Sequence, residues 1–280
     1  MNLFQQITMK TSFEFFPPQS EKGKDNLQQV IKQISKINPE YFSVTYGAGG
    51  TTQESTFETV IDIKNNNKVR VAPHLTCIGA SKNITKSILD KYKANGIDKV
   101  VALRGDIPSG MQNTGELRYA NELVEFIKSE YDDYFHIEVA AYPESHPQAT
   151  NIGTELSNFA QKVRAGADGA ITQYFYNPDA YFRFVDDIEK LGIDIPITPG
   201  IMPITNYSNI VRFSNMCDAQ IPKWITERLR LYRDDKESLL AFGEDVVLKL
   251  CQTLIDNGVD SLHFYTMNRS EPIMNIIKKL

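Results

Sequence analysis

Short strand-like runs alternate with helix-like segments along almost the whole chain, and this alternation restricts the fold more than any other feature. The candidate strands are residues 12–16, 41–46, 69–75, 99–104, 136–142, 169–175, 193–199 and 261–266. Strands that alternate with helices form a parallel sheet covered by those helices. Eight such strands favour a closed (β/α)₈ TIM barrel over an open, doubly wound sheet.

The segments between the strands have the apolar periodicity of amphipathic helices. In residues 25–37, one helical face carries Leu27, Val30, Ile31, Ile34 and Ile37. Residues 206–257 are too many for one crossover, so we predict extra helices before the last strand. No low-complexity linker divides the chain, and residues 1–280 are predicted to be a single catalytic barrel domain.

Composition and charge narrow the classes of partner. The net charge is −5 with a pI near 5.5, which argues against nucleic acid or an anionic membrane as the main partner. No apolar run approaches the roughly 18 residues of a membrane span, and the N-terminus lacks a signal-peptide core. The three cysteines are scattered without a CxxC spacing, which indicates reduced thiols. We therefore expect a cytoplasmic protein.

Polar residues gather where the predicted strands end, and the active site of a barrel forms at these carboxyl ends. They are Glu14, Thr45, Tyr46, His74, Thr76, Arg104, Asp106, Tyr142, Glu144, His146, Thr172, Gln173, Tyr265, Thr266, Asn268 and Arg269. Each is a weak signal alone, but together they predict one site at this end of the barrel.

Glu14 stands in the apolar stretch SFEFFPP, and Pro17 and Pro18 prevent the strand from continuing. A carboxylate in apolar surroundings is costly unless it is paired, hydrogen-bonded or protonated. Glu14 therefore either lies on an edge strand with one wet face or takes part in chemistry.

Two loop motifs each allow more than one interpretation. TYGAGGTT (45–52) suggests a dinucleotide fingerprint, but Thr52 replaces its third glycine and no acidic strand end follows about 20 residues on. A plain loop, or a loop whose backbone closely approaches a ligand, remains open. In LRGD (103–106), Arg104 and Asp106 either pair to cap the loop or place a negative charge against a cationic intermediate.

Two further patterns concern metals and phosphates. His74 and His146 could bind a metal together with Asp106, as in a barrel hydrolase, but no HxH or HExxH spacing supports this. Residues 148–166 read as a helix on which Glu155, Asn158 and Lys162 share a face. That face is either solvated or a polar wall for the ribose and phosphates of a ligand.

The motifs SFEFFPP, SVTYGAGG, APHLTC, VALRGD, AAYPESHP, ITQYFY, PGIMPI and HFYTMNR occur in this order, and the chain closely resembles bacterial methylenetetrahydrofolate reductase from about residue 11 to 275. The resemblance implies a (β/α)₈ barrel that binds FAD without a covalent bond. It implies ping-pong transfer of reducing equivalents from NAD(P)H, with NADH favoured, to 5,10-methylenetetrahydrofolate. The product, 5-methyltetrahydrofolate, feeds methionine synthesis and one-carbon metabolism, and relatives are homo-oligomers.

The same resemblance assigns roles to residues. Glu14 takes the place of the general acid, which protonates folate N10 and opens the five-membered ring to a 5-iminium cation; the flanking phenylalanines would favour its neutral form. The negative charge of Asp106 would favour that cation and tune the flavin. Gln173 would contact folate and nicotinamide, and Arg269 would bind folate. Phe213 is either a stacking aromatic or a core residue of its helix. The presence of Glu14, Asp106 and Gln173 argues against a flavin or folate carrier without turnover.

The FAD-binding positions that the resemblance implies are Thr45, Tyr46, Ala48, His74, Arg104, Gly105, Asp106, Tyr119, Ala120, Tyr142, His146, Ala149, Glu155, Asn158 and Lys162. Three positions depart from the relatives: Glu155 stands where aspartate is usual, Gln161 where arginine can occur and Asn209 where glutamine can occur. The first two concern adenosine and phosphate contacts, and the third concerns folate. Because the chain ends at Leu280, we expect no S-adenosylmethionine-binding regulatory domain.

Overall fold

The structure is a computed structural model that describes residues 9–46, 53–106, 115–144 and 151–280. Within these residues, nine parallel strands form one sheet. The strands are β1 (Lys10–Phe15), β2 (Tyr41–Val44), β3 (Arg70–Thr76), β4 (Lys99–Leu103), β5 (His136–Ala141), β6 (Gly169–Thr172), β7 (Ile197–Thr198), β8 (Gly200–Ile201) and β9 (Ser261–Tyr265). All eight predicted strands have a counterpart, but the seventh, predicted at 193–199, is only β7, and β8 lies just beyond its predicted end.

The sheet closes into a barrel through the segment that contains β7 and β8. β7 pairs with β6 and β8 pairs with β9, and these two pairs are the opposite ends of the strand order. Pro199 lies between them, and its carbonyl accepts a hydrogen bond of 3.0 Å from the backbone N–H of His263. One short segment therefore joins both ends of the sheet, which confirms the (β/α)₈ barrel predicted from the sequence.

Among the described residues, a helix follows each strand except β7, which leads directly into β8, and three helices lie between β8 and β9. The helices are α1 (Glu21–Ile34), α2 (Gln53–Asn66), α3 (Lys82–Ala94), α4 (Ala120–Tyr131), α5 (Ile152–Arg164), α6 (Pro178–Lys190), α7 (Tyr207–Cys217), α8 (Lys223–Leu231), α9 (Lys236–Asp256) and α10 (Glu271–Ile277), with a 3₁₀ turn at Ser35–Ile37. Helices α7, α8 and α9 fill the stretch before β9, as predicted. None of the described helices is long and apolar enough to cross a membrane.

The main core lies between the barrel wall and the helices. Phe13 and Phe15 of β1 are fully buried there, in the same core as Leu27 and Ile31 of α1. Because side chains alternate along a strand, Ser12 and Glu14 are on the opposite, inward face. The expectation that these phenylalanines form the surroundings of Glu14 is therefore wrong. β1 also lies between β2 and β9, so Glu14 is not on an edge strand.

The inside of the barrel holds a buried ionic cluster near the amino ends of the strands. Lys99 Nζ lies 2.7 Å from Glu138 Oε1, and His136 Nε2 lies 3.0 Å from the same oxygen. The Lys99 ammonium also lies 4.2 Å from the centroid of the Tyr41 ring. Above this cluster, Tyr41 packs with small and branched residues, and the carboxyl ends of the strands open into a cavity.

Candidate active site

A cavity of about 1160 Å³ lies at the carboxyl ends of the strands. Its wall combines the ends of β1, β3, β4, β5, β6 and β9 with the first residues of α4 and one face of α5. This is the position at which barrel enzymes build their active sites. Most of the polar strand-end residues predicted from the sequence line the cavity, whereas Glu144, Thr172, Thr266, Asn268 and Arg269 do not, and His146 falls outside the described residues.

Most of the residues predicted to bind the cofactor line this cavity. They are Thr45, Tyr46, His74, Arg104, Gly105, Asp106, Tyr119, Ala120, Tyr142, Glu155, Asn158 and Lys162, and Glu14 and Gln173 lie beside them. The predicted positions Ala48, His146 and Ala149 fall outside the described residues. The shared lining places these side chains together, and their roles remain predictions.

The carboxyl group of Glu14 lies between two imidazoles. Its Oε2 is 3.4 Å from His74 Nε2 and 4.0 Å from His263 Nε2, and the side chain is 20% exposed. The backbone carbonyl of Glu14 accepts hydrogen bonds from the backbone N–H and the hydroxyl of Thr266, at 3.2 and 2.6 Å. Glu14 is thus fixed at the end of β1 while its carboxyl group faces the cavity.

His74 keeps a neutral imidazole beside this carboxyl group. Burial lowers its pKa below the ordinary value; the charge of Glu14 opposes this change and His263 adds to it. A neutral imidazole donates from one ring nitrogen and accepts at the other. His74 therefore acts on Glu14 through a hydrogen-bonding nitrogen and not through a full positive charge.

Tyr265 crosses the top of the barrel to reach β6. Its hydroxyl donates a hydrogen bond of 2.7 Å to the carbonyl of Thr172. Gly200 makes room for this contact, because a Cβ atom there would lie 2.2 Å from the Thr172 carbonyl oxygen and 2.6 Å from Tyr265 Cε2. Burial raises the pKa of Tyr265 well above its ordinary value, so the ring remains a neutral donor.

The polar face of α5 forms one side wall of the cavity. Glu155 and Lys162 are buried, which rules out a fully solvated face for this stripe. Lys162 Nζ donates a hydrogen bond of 2.5 Å to the carbonyl of Ala140. Burial lowers the pKa of Lys162 to about 8, and Glu155 opposes that change. The lysine is still mostly protonated at pH 7, so it supplies positive charge to this wall.

Two predicted substrate-binding residues lie outside the lining of this cavity. Phe213 is on α7, partly buried against the core, with the Arg212 guanidinium 5.0 Å from its ring centroid. Arg269 is exposed and opens into a second cavity of about 950 Å³ between α1, α9 and α10. The neighbouring Asn268 lines this second cavity too, and its side-chain amide hydrogen bonds to both the N–H and the carbonyl of Phe16. The roles of Phe213 and Arg269 stay predictions.

The sequence interpretation missed Ser12 and His263 as parts of the site. Both lie on the inward face of neighbouring strands, where Ser12 is the register partner of His263 and Glu14 that of Tyr265. The sequence did carry a signal for them: Ser12 and Glu14, like His263 and Tyr265, are two residues apart on a strand and therefore share its inward face. Metal binding gains no support from the described residues, which contain no cluster of three or more His, Cys, Asp or Glu able to hold an ion.

A closed parallel barrel with a carboxylate, imidazoles and tyrosines around its carboxyl-end cavity defines a TIM-barrel enzyme. The profile of the family described as methylenetetrahydrofolate reductase matches residues 2–280. The chain belongs to the methylenetetrahydrofolate reductase family.

Individual relatives agree with this assignment. The chain is 39% identical over 263 residues to the 5,10-methylenetetrahydrofolate reductase of Escherichia coli K12, covering 94% of this chain and 88% of that protein. It is 38% identical over 282 residues to the probable methylenetetrahydrofolate reductase (NADH) of rice, and this match covers 96% of the chain but 48% of the rice protein. The chain thus spans about half the length of the plant relative.

A solved structure supports the fold alone. A Clostridium thermocellum protein described as binding two copies of 5-methyl-5,6,7,8-tetrahydrofolic acid superposes with a TM-score of 0.66 at 16% identity. The superposition covers 96% of this chain and 93% of that one, so the barrel and its helices correspond along nearly their whole length.

Proposed function

We propose that this chain reduces 5,10-methylenetetrahydrofolate to 5-methyltetrahydrofolate with NADH, by a ping-pong mechanism through FAD. The observation that carries the proposal is the Glu14 carboxyl group in the main cavity, with Asp106 and Gln173 in the same lining. Family membership and the name of the Escherichia coli relative support the folate substrate. The name of the rice relative supports NADH as the nucleotide.

The cavity has features that fit a flavin. The hydroxyl of Thr45 is buried and has no hydrogen-bond partner among the described residues, so a ligand atom can satisfy it. Gly105 turns the backbone at a φ of +86°, and a Cβ there would lie 2.9 Å from Ile78 Cγ2. Arg104 and Lys162 provide positive charge for a diphosphate. When bound, FAD supplies hydride transfer between the nicotinamide and the folate.

The chain itself supplies the proton, the charge and the orientation. Glu14 donates a proton to folate N10, and the five-membered ring opens to a cation. The carboxylate of Asp106 stabilises that positive charge. The side-chain oxygen of Gln173 accepts a hydrogen bond of 3.0 Å from the N–H of Tyr174, which leaves its amide nitrogen as a donor to the ligand.

The two half-reactions test this proposal directly. Protein reconstituted with FAD and desalted should keep its flavin absorbance, lose it on anaerobic addition of NADH and regain it on addition of methylenetetrahydrofolate. A protein that stays colourless would contradict the flavin and would favour a metal-dependent hydrolase. A flavin that is bleached by NADH but never reoxidised by the folate would indicate a carrier without turnover. A parallel run with NADPH measures the nucleotide preference.

The substitution Asp106→Asn tests the electrostatic role of this residue. Only the folate half-reaction develops a full positive charge on the substrate, so we expect it to slow about 10- to 100-fold, as when a hydrogen bond or contact to a charged group is lost. Reduction of the flavin by NADH should change much less. Stopped-flow absorbance measures both rates. Equal losses would instead favour a structural Arg104–Asp106 pair.

A further inference from the structure

We propose that His263, held by Ser12, is a positioning residue for the acid. Its Nε2–H points at Glu14 Oε2, and the N–H groups of His263 and His74 together leave the acidic proton on Oε1. This inference rests on the proposed role of Glu14. It adds that the side chains of His263 and His74 decide which carboxyl oxygen of Glu14 carries the proton. Neither Ser12 nor His263 is among the residues predicted from the sequence to act in the site.

The His263 ring is held from several sides in the interior of the barrel. The residue is fully buried, and its Nδ1 lies 2.7 Å from the hydroxyl oxygen of Ser12. The Tyr41 ring stacks on it at 6.0 Å and 27°, and Tyr265 packs edge-on at 5.4 Å and 81°. With the ring plane and Nδ1 held in this way, Nε2 is fixed on the other side of the ring, 4.0 Å from Glu14 Oε2.

The two imidazole nitrogens converge on one oxygen. Nε2 of His263 and Nε2 of His74 are both buried and have no hydrogen-bond partner among the described residues. They lie 4.0 and 3.4 Å from the same atom, Glu14 Oε2. A buried N–H without a partner is unfavourable, and catalytic contacts that are long in a free enzyme shorten when the substrate binds. Closure of these two gaps satisfies both nitrogens at once.

Electrostatics selects the tautomer of His263. When Glu14 is ionised, a lone pair on Nε2 would face the lone pairs of Oε2, whereas a proton on Nε2 faces them favourably. The proton therefore belongs on Nε2, and the Ser12 hydroxyl donates to Nδ1, because Ser12 can serve as donor or acceptor. The titratable groups in reach of Glu14 are His74, His263, Tyr41 and Tyr265. In the described part of the chain, no lysine or arginine forms an ion pair with it.

This arrangement has a direct consequence for proton transfer. Once the two gaps close, two N–H groups contact Oε2, so the proton of the neutral acid lies on Oε1. When that proton moves to folate N10, the negative charge that remains on the carboxylate already faces two donors. The donors thus stabilise charge that develops during the transfer, which is the condition for a contribution to rate.

The tautomer can be read without any turnover. In protein with ¹⁵N-labelled histidine, the ring-nitrogen NMR signals of His263 should show a protonated Nε2 and an unprotonated Nδ1. His263→Gln identifies these signals among the four histidines. Ser12→Ala should produce a mixture of both tautomers, because Nδ1 loses its donor. A His263 signal with the proton on Nδ1 would overturn the proposal, whatever the folate activity turns out to be.

Kinetics supply the second test. We expect His263→Leu to slow the folate half-reaction about 10- to 100-fold, since the carboxylate that forms during proton transfer has one donor fewer. His263→Gln, which can place an amide N–H near the position of Nε2, should recover most of the rate. Flavin reduction by NADH should stay within about twofold.

The controls separate positioning from a general effect on the fold. His136→Gln changes a histidine at the other end of the barrel and should leave both half-reactions unchanged. If His263→Leu does not fold, Ser12→Ala tests the same positioning role. We expect this variant to lose about 3- to 10-fold in the rate of the folate half-reaction. Equal losses in both half-reactions, without recovery in His263→Gln, would mean that His263 only packs the barrel. If wild-type protein fails to react with the folate, the proposed function fails, and the tautomer measurement still decides this inference.

Discussion

Lys99→Met should lower the free energy of unfolding by about 3–5 kcal/mol, because it leaves a buried carboxylate without its cation. Lys99 and Glu138 have side chains only 7% and 10% exposed, and their charged atoms are 2.7 Å apart inside the barrel. Methionine fills a similar volume, so the loss comes from the uncompensated charge of Glu138 and not from a cavity. Urea unfolding followed by circular dichroism measures the difference.

The double substitution Lys99→Met with Glu138→Leu is the matched control. Removing both charges removes the desolvation cost of both, so the double variant should be close to wild type or more stable. A double variant as unstable as Lys99→Met alone would show that packing, and not the unpaired charge, causes the loss. His136 stays in place in both proteins.

The pH dependence of this loss has a definite sign. Burial alone would raise the pKa of Glu138, but the hydrogen bond from His136 and the charge of Lys99 outweigh it, and the pKa is lowered. A lowered pKa means that Glu138 stabilises the fold above the pKa of the unfolded chain and loses this contribution as pH falls through the folded pKa. Without Lys99 this contribution shrinks, and protonation relieves the buried charge. The gap between wild type and Lys99→Met should therefore narrow as the pH falls from 7 towards about 4.5.

The fold was largely predictable because its signals are local. Alternating strands and helices, the apolar face of α1 and the length of the stretch before β9 are each read within one segment. The break between β7 and β8 at Pro199 was not predicted. A proline within an apolar run shows only that one backbone N–H cannot pair, and it does not show that the strand ends there. Where the neighbouring strands then pair depends on closure of the barrel.

The location of the site was predictable from the sequence, but the surroundings of Glu14 were not. The carboxyl-end residues converge because a parallel barrel places all strand ends on one rim, and the sequence alone supports that. The surroundings of Glu14 were predicted wrongly because its sequence neighbours were taken for its spatial neighbours, while alternation turns Phe13 and Phe15 to the other face. The actual neighbour His263 is about 250 residues away and meets Glu14 only through the pairing of β1 with β9.

Glu14→Gln should almost abolish the folate half-reaction while leaving the nucleotide half-reaction intact. Reduction of the flavin by NADH is a hydride transfer that needs no acid from the protein. The folate step needs a proton on N10 before the ring opens. A positioned general acid contributes about 10²- to 10⁴-fold, or roughly 3–5 kcal/mol of barrier, and the dependence of this substrate on ring opening places the loss at the upper end.

The structure makes glutamine a clean replacement at this position. The backbone carbonyl of residue 14 keeps both hydrogen bonds from Thr266, because neither uses the side chain. An amide has nearly the volume of a carboxylic acid, and its oxygen can still accept from His74 and His263 at the position of Oε2. What the amide cannot do is release a proton. The variant should therefore fold, retain FAD and be bleached by NADH at close to the wild-type rate.

Glu144→Gln provides the matched control. It makes the same chemical change near the carboxyl end of β5, where Glu144 accepts a hydrogen bond from the backbone of Gln220 and does not line the main cavity. Both half-reactions should proceed normally in this variant. Anaerobic stopped-flow mixing of the NADH-bleached Glu14→Gln protein with methylenetetrahydrofolate decides the matter. Recovery of the flavin absorbance at more than about a tenth of the wild-type rate would be too fast for a protein that has lost its acid, and the proton would then have to reach N10 from another group.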